Sequence, residues 1–338
     1  MRFAAAALRM VGQPKPAALR HGHYNVILYI SECSRHRGGD MESRRQFLIG
    51  SGLGIAALAA YGLPDFAQAA PLGKRPGIQL YTINEAMRAD AASALKKLRQ
   101  IGYLEVESAG FGGLSATQFR TLMDDAGVAC PSAHLQFDLD NLDRAFADAH
   151  ALGAKYAVSS ISRSLALGTN APKDMLGTGM SLDEAKRTAE IANRIGAGAH
   201  RAGLQFTYHN HNFEFADQGG GAIGYDLLLK ETDPQLVKFE IDCGWMIFAG
   251  HDPIDYIKKY PHRFPMIHVK DFLPRGNDGQ MRGAELGHGT VDYKPIFAAA
   301  AKAGLQHYFV EQEGPFARMS PVEAAQVDYD YLHLIGRA

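Results

Sequence analysis

Cysteine is scarce in this chain of 338 residues, which contains only Cys33, Cys130 and Cys243. Three cysteines at these spacings match neither a zinc ribbon nor the paired framework of a disulfide-rich protein. We therefore expect Cys130 and Cys243 to be small buried apolar residues. The fold must be stabilised by an ordinary hydrophobic core, which a hydrophobic content of 46% and a charged content of 21% allow.

An excess of positive charge is also absent. The chain has 35 lysines and arginines against 36 aspartates and glutamates, a net charge of −1 with histidine neutral. Without residues 1–69 these counts fall to 27 and 32, so the remainder carries a net charge of about −5. A nucleic-acid surface needs clustered positive charge. We therefore expect no nucleic-acid partner.

No hydrophobic run is long enough to span a membrane. The apolar stretch from Ile49 to Leu63 is about 15 residues, short of the roughly 20 that a span requires. It follows a twin arginine in Ser-Arg-Arg-Gln-Phe-Leu at 43–48 and precedes Ala-Gln-Ala at 67–69. This pattern resembles a twin-arginine export signal. We predict a signal peptide over 41–69, a periplasmic protein without membrane contact after cleavage, and a disordered upstream extension over 1–40.

Short apolar runs alternate eight times with amphipathic stretches in the rest of the chain. This alternation predicts parallel strands covered by helices. A doubly wound open sheet is disfavoured because no glycine-rich phosphate turn follows the first strand. We predict one (β/α)8 TIM barrel over residues 70–338, with strands at 77–82, 103–108, 129–134, 155–160, 204–210, 237–242, 264–270 and 307–312.

The predicted helices end at glycines, as expected of loops that lead from a helix into a strand. They cover 91–101, 115–126, 142–152, 181–202 and 293–303, and Ser181 with Glu184 predicts a capping box. Two longer loops, 163–180 and 272–290, follow the fourth and seventh strands. They are expected to lie at the barrel mouth as lids or walls of a pocket.

Polar residues follow the ends of the last four predicted strands, where barrel enzymes place their sites. Because side chains alternate along a strand, His209, Asp242, His268 and Glu311 can point into the barrel together. Imidazole and carboxylate ligands suit Mn²⁺, Zn²⁺, Fe²⁺ or Co²⁺. We predict a divalent-metal site from these four residues, with Mn²⁺ as the first choice. His211 shares the face of His209 and is the alternative fourth ligand.

A family resemblance rests on several motifs. They are YHNHNFEF at 208–215, EIDCGW at 240–245, GHDP at 250–253, HVKD at 268–271, ELGHG at 285–289 and VEQE at 310–313. The set resembles the sugar phosphate isomerase/epimerase family of xylose isomerase-like TIM barrels, over nearly all of 76–335. The resemblance implies a divalent metal, a sugar or keto-sugar substrate, and ligands at the four positions named above.

One position departs from the epimerases of that family. They carry a glutamate on the fifth strand as one of two acid/base carboxylates, whereas this chain has His209. The paired-carboxylate mechanism is therefore in doubt. The sequence is more similar to the branch with inosose dehydratases and enzymes that eliminate or hydrate 3-keto-glycosides.

The expected reaction is enolisation. A metal that polarises a carbonyl makes the neighbouring C–H acidic, and a base then removes the proton. Isomerisation or epimerisation is the first expectation, with a lyase or hydratase as the alternative. Glu311, Lys270 and His211 are the catalytic candidates, and the pKa of Lys270 is expected to fall beside a cation, unless Lys270 forms a salt bridge with Glu240 or Asp271. His134, Glu214, Trp245 and Glu313 are the candidates for substrate binding, with His134 also a candidate base.

Export favours an unphosphorylated sugar, because sugar phosphates are scarce outside the cytoplasm. The only protein partner we expect is a second copy of the chain in a homodimer. A nuclease of the endonuclease IV type shares the barrel, but it needs more metal ligands and a basic groove. A non-catalytic exported sugar-binding protein is the alternative of another class.

Overall fold

Eight parallel strands form a closed barrel in the computed structural model of this protein. Each strand pairs with its neighbours in the sequence, and the last pairs with the first. The predicted TIM barrel is confirmed. The strands are β1 Gly77–Gln79, β2 Glu105–Ala109, β3 Ala129–His134, β4 Tyr156–Ser159, β5 Gln205–His209, β6 Val237–Asp242, β7 Met266–Val269 and β8 His307–Val310.

The structure describes residues 71–161, 163–168, 178–276, 280–316 and 318–336. The predicted signal peptide and upstream extension lie outside these residues. Among the helices that are described, none combines the length and the apolar character needed to cross a membrane.

Most of the strands are shorter than predicted at one or both ends. β1 ends at Gln79 because Leu80–Ile83 turns into a 3-10 helix, where the Gln79 side chain accepts a hydrogen bond from the Tyr81 amide at 3.0 Å. β8 ends at Val310, so Glu311 lies just beyond the strand. The mouth is therefore built from residues at or immediately after the strand ends.

Helices fill the intervals between strands and cover the outside of the barrel. Gly127 and Gly153 follow two of them with φ of 74° and 80°, the left-handed conformation expected of glycine at these junctions. The described helices are α1 Asn84–Ile101, α2 Ala116–Ala126, α3 Leu142–Leu152, α4 Arg163–Leu167, α5 Leu182–Arg201, α6 Gly224–Glu231, α7 Cys243–Phe248, α8 Pro253–Lys259, α9 Tyr293–Lys302 and α10 Pro321–Gly336.

The predicted capping box at α5 forms only in part. Ser181 accepts a hydrogen bond from the Glu184 amide, but the Glu184 carboxylate binds the buried Arg163 guanidinium instead of the cap. A full box forms at α2 between Ser115 and Gln118. The Arg163–Glu184 pair connects the start of the loop after β4 to the start of α5.

Part of the barrel interior is apolar. Val158, Met266 and Phe309 are fully buried there, in a small cluster separate from the main core between strands and helices. Cys130 and Cys243 are free and buried, as predicted. The charged residues described below share the barrel interior with this cluster.

Candidate metal centre

The four predicted metal ligands lie together at the carboxyl end of the barrel. His209, Asp242 and His268 belong to β5, β6 and β7, and Glu311 follows β8. All four are buried, and one ligand atom from each lies within 4.8 Å of the others. Within the described residues, His209 rather than His211 belongs to this cluster.

Asp242 offers the clearest test of whether these residues fit a metal. Its Oδ1 atom accepts a hydrogen bond from the Trp245 amide at 2.8 Å, which begins α7. Its Oδ2 atom is buried and forms an ion pair with the Lys270 ammonium at 3.0 Å, but makes no hydrogen bond of good geometry with the described residues. A carboxylate oxygen with a single such partner retains lone pairs that can bind a metal ion. Two imidazoles and two carboxylates are also a donor set that divalent transition metals accept.

A second layer of polar residues supports the imidazole of His268. Its Nδ1 atom lies 2.9 Å from Glu311 Oε2, and its Nε2 atom lies 2.7 Å from Glu107 Oε2. Glu107 is fully buried on β2 and also accepts from Gln79 and Ser132. A carboxylate that binds one nitrogen of a histidine fixes the ring and leaves the other nitrogen for a metal.

Glu240 supports His209 in the same way. Its Oε2 atom lies 3.1 Å from His209 Nδ1 and 3.1 Å from His134 Nε2. His134, His209, Glu240 and His268 form a second set that could hold a metal ion. We interpret this set as the supporting layer, because its carboxylate and imidazole atoms already lie at hydrogen-bonding distance from one another.

The supporting layer is strongly ionic. Burial would raise the pKa of Glu240, and Glu107 adds to this effect, but the surrounding imidazoles outweigh both and lower the pKa to about 2. Burial would lower the pKa of His134, but Glu107 and Glu240 raise it to about 10. The layer beneath the candidate ligands is therefore a network of charged hydrogen bonds.

The salt-bridge partners of Lys270 differ from those predicted. Its buried ammonium lies 3.0 Å from Asp242, 2.9 Å from Glu311 and 2.7 Å from Glu313, and not beside Glu240 or Asp271. Burial would lower its pKa, but these three carboxylates raise the pKa well above the usual value. The expectation that a bound metal lowers this pKa stays a prediction. Lys270 is held in place by three carboxylates at the edge of the candidate centre.

Asp271 has a structural role instead. Its carboxylate accepts hydrogen bonds from five backbone amides in the next residue and in the segment that carries the ELGHG motif. Asp271 also pairs with Ala284 in a two-stranded ribbon. This part of the predicted mouth loop is therefore held against the end of β7.

A cavity of about 350 Å³ opens above the centre. Of the predicted substrate-binding residues, His134, Trp245 and Glu313 line it, together with His211 and Glu311. The His211 ring lies parallel to Phe213, and its buried Nδ1 atom has no hydrogen-bond partner among the described residues. Burial and the nearby Lys270 charge lower the pKa of His211 to about 4. A neutral imidazole therefore faces the cavity.

Glu214 does not line this cavity, contrary to its prediction as a substrate-binding residue. Its buried carboxylate accepts hydrogen bonds from the Tyr208 hydroxyl at 2.9 Å and the His211 amide at 3.0 Å. Burial raises its pKa to about 8. Glu214 fixes the backbone of His211 and thereby positions the ring that does line the cavity.

Glu107, which contacts the imidazole of His268, was not among the site residues predicted from the sequence. We expect Glu107→Gln to weaken metal binding by about 10- to 100-fold, because the amide cannot reproduce the carboxylate contacts to His268. Metal titration followed by calorimetry measures this effect. Glu105→Gln is the matched control, since Glu105 lies on the same strand but pairs with His307 at the opposite end. Equal loss in both variants, with equal loss of thermal stability, would contradict a specific role for Glu107.

Comparison with known proteins supports the barrel fold described above. A family model described as "Xylose isomerase-like TIM barrel" matches residues 95–332. An inosose dehydratase from Lacticaseibacillus casei is 30% identical over 167 residues, which are 44% of this chain and 54% of that protein. The chain therefore spans about half the length of this curated relative.

Two solved structures have the same fold. A sugar phosphate isomerase/epimerase from Parabacteroides distasonis is 25% identical, with a TM-score of 0.63 over 77% of this chain and 93% of the other. A xylose isomerase-like TIM barrel protein from Mycobacterium smegmatis, in complex with magnesium, is 17% identical, with a TM-score of 0.57 over 80% and 98%. Since the family model covers well over half of the sequence, the chain belongs to the xylose isomerase-like TIM barrel family.

Proposed function

We propose that this protein is a metal-dependent enzyme that removes the proton next to the carbonyl of an unphosphorylated keto-sugar. The observation that carries the proposal is the convergence of His209, Asp242, His268 and Glu311 beside a cavity that the imidazole of His211 also lines. Mn²⁺ is the metal we expect. The relatives named above are enzymes according to their names, which supports a catalytic role.

Each residue has a distinct task in this proposal. A bound divalent metal supplies Lewis acidity toward a carbonyl oxygen. His211 accepts the α-proton, because its ring lines the cavity and its lowered pKa keeps the imidazole neutral. Lys270 provides a buried positive charge that binds and orients the carboxylates of Asp242 and Glu311. Trp245 lines the cavity and offers an aromatic face to a sugar ring.

We place a lyase reaction first. Removal of the α-proton leaves an electron pair that forms a C=C bond as the β C–O bond breaks, and the departing oxygen takes a proton to become water or an alcohol. The inosose dehydratase relative supports this outcome, as does His209 at the position where epimerases carry a glutamate. Isomerisation or epimerisation, by return of the proton, is the second candidate and is supported by the solved isomerase/epimerase.

The charge of the cavity favours a substrate without phosphate. Glu311 and Glu313 line it, and among the described residues that line it there is no lysine or arginine. A phosphate group needs arginine, lysine or backbone amides as partners. An unphosphorylated substrate also fits the proposal, made from the sequence, that the mature protein is periplasmic.

Incubation of the metal-loaded protein with keto-sugars in D₂O tests the proposal. We expect loss of the α-proton to solvent, which leaves deuterium at that carbon in an isomerised product and no hydrogen at that carbon in the C=C product of a lyase. Chelation should abolish turnover. A product lighter by one water or one alcohol indicates a lyase, whereas a product of unchanged composition indicates an isomerase. Ligand binding with neither deuterium incorporation nor a lighter product would overturn the proposal and favour a sugar-binding protein.

A further inference from the structure

A buried tyrosine completes the hydrogen bonding at the end of β7. Lys270 directly follows the last residue of this strand, and its backbone N–H donates to the Tyr293 hydroxyl at 2.6 Å. The same hydroxyl donates to the backbone carbonyl of Lys270 at 2.7 Å. A tyrosine hydroxyl can donate one hydrogen bond and accept another. Tyr293 therefore satisfies both backbone groups of one residue, as a neighbouring strand does inside the sheet.

The segment before Tyr293 is connected to the end of β7 in both directions. The carboxylate of Asp271, next to Lys270, accepts hydrogen bonds from four backbone amides within 287–291. Tyr293, two residues beyond this segment at the start of α9, binds the backbone of Lys270 in return. Each of the two segments thus holds the backbone of the other with a side chain, and the backbone of Lys270 is fixed.

The side chain of Lys270 is packed closely above this backbone. A Cβ atom at Gly244 of α7 would lie 2.8 Å from Lys270 Cβ and 3.0 Å from the Lys270 carbonyl oxygen. The ammonium lies 5.0 Å from the centre of the Trp245 ring. A lysine side chain is flexible and loses rotamer freedom when it is held in one conformation. A fixed backbone reduces the conformations open to this side chain and favours the one in which the ammonium contacts Asp242 and Glu311.

The backbone of Asp242 is held separately. Its N–H donates to Asn210 Oδ1 at 3.0 Å, and its carbonyl accepts from Asn210 Nδ2 at 3.4 Å. Asn210 is fully buried, so these contacts are shielded from water. Since this candidate ligand does not depend on Tyr293 for its backbone position, we expect an effect of Tyr293 on the centre to pass through Lys270.

We propose that Tyr293 is a positioning residue of the metal centre. It fixes the backbone of Lys270, and the Lys270 ammonium orients the carboxylates of Asp242 and Glu311 for the metal. Tyr293 is fully buried and does not line the cavity above the centre, so its role is indirect. This inference rests on the proposed function, because it requires that the centre binds a metal.

Tyr293→Phe tests the inference, because it removes the hydroxyl and keeps the ring that packs against Phe297. Co²⁺ is the probe, since its visible absorption spectrum depends on the geometry of its ligands. We expect the variant to bind Co²⁺ about 3- to 10-fold more weakly, the effect of one or two hydrogen bonds, and to give a shifted spectrum. Calorimetry measures the affinity, and both measurements use the full chain.

Tyr103→Phe is the matched control. Tyr103 is also fully buried, and its hydroxyl donates to the Ala325 carbonyl at 2.9 Å. It precedes β2 and therefore lies toward the opposite end of the barrel from the centre. Both variants should lose some thermal stability, because each loses a buried hydrogen bond. Only Tyr293→Phe should change the affinity for Co²⁺ and the spectrum.

A double-mutant cycle distinguishes action through Lys270 from a general loosening of the fold. Lys270→Met removes the ammonium, and addition of Tyr293→Phe should then cause no further change in Co²⁺ affinity or spectrum. If Lys270→Met fails to fold because three carboxylates lose their partner, the comparison of Tyr293→Phe with Tyr103→Phe decides by itself.

Four results would overturn the inference. They are an unchanged Co²⁺ affinity and spectrum in Tyr293→Phe, equal changes in both phenylalanine variants, additive effects in the double variant, and failure of Tyr293→Phe alone to fold. Failure of the unmodified protein to bind Co²⁺ or Mn²⁺ has a different meaning. It rejects the metal-dependent function proposed above, and the role of Tyr293 falls with it.

Discussion

Replacement of His268 by alanine is expected to abolish metal binding and turnover together. The ring is fully buried and contacts Glu311 through one nitrogen and Glu107 through the other. Its loss removes a ligand and leaves buried carboxylates without their partner. The loss of affinity should exceed the roughly 10- to 100-fold that follows from loss of a supporting hydrogen bond. Metal content by elemental analysis and kcat measured with added metal test this expectation.

A second variant tests the metal centre independently of whether His268→Ala folds. Asp242→Asn retains an oxygen that can accept from the Trp245 amide and so begin α7, but replaces the oxygen that lacks a hydrogen bond. We expect it to fold and to lose metal. His200→Ala is the control, because His200 is exposed in the last turn of α5. Full activity of His268→Ala or Asp242→Asn in the presence of chelator would reject the metal centre.

The strand ends show how much of this site is predictable from sequence. His209 and Asp242 are the last residues of β5 and β6, and His268 is the last but one of β7. Parallel strands bring their carboxyl ends to one side of a barrel. Alternation of side chains then gives the inward direction. Both rules depend only on the strands. They therefore predict that His209, Asp242 and His268 lie close together without any knowledge of loop conformation.

Contacts between distant strands were not predictable in the same way. Glu107 lies 161 positions from His268, and only closure of the barrel brings them together. A signal was present, since Glu105 and Glu107 are charged residues in a short strand that is otherwise mostly apolar. Lys270 reaches Glu313 because its long side chain extends to the end of β8. The alternation of side chains along a strand does not predict which carboxylate such a side chain contacts.

His211→Gln is expected to lower kcat by about 10²- to 10⁴-fold while metal content stays unchanged, which is the usual contribution of a general base. Glutamine retains a polar side chain in the cavity but cannot take up a proton at neutral pH. His211 lies outside the four-residue ligand cluster, so loss of its ring should leave the metal in place. Deuterium incorporation next to the carbonyl should fall with kcat, and both are measured on the metal-loaded protein.

The comparison with Glu313→Gln decides which group is the base. Both side chains line the cavity, but the Glu313 carboxylate is bound by the Lys270 ammonium at 2.7 Å, whereas His211 Nδ1 has no partner among the described residues. The Lys270 ammonium stabilises the ionised form of Glu313 and so disfavours its protonation, although burial acts in the opposite direction and raises the pKa of Glu313 above its usual value. We therefore expect exchange to survive in Glu313→Gln and to be lost in His211→Gln. The reverse pattern would transfer the proton abstraction to Glu313 and leave His211 as a residue that only binds the substrate.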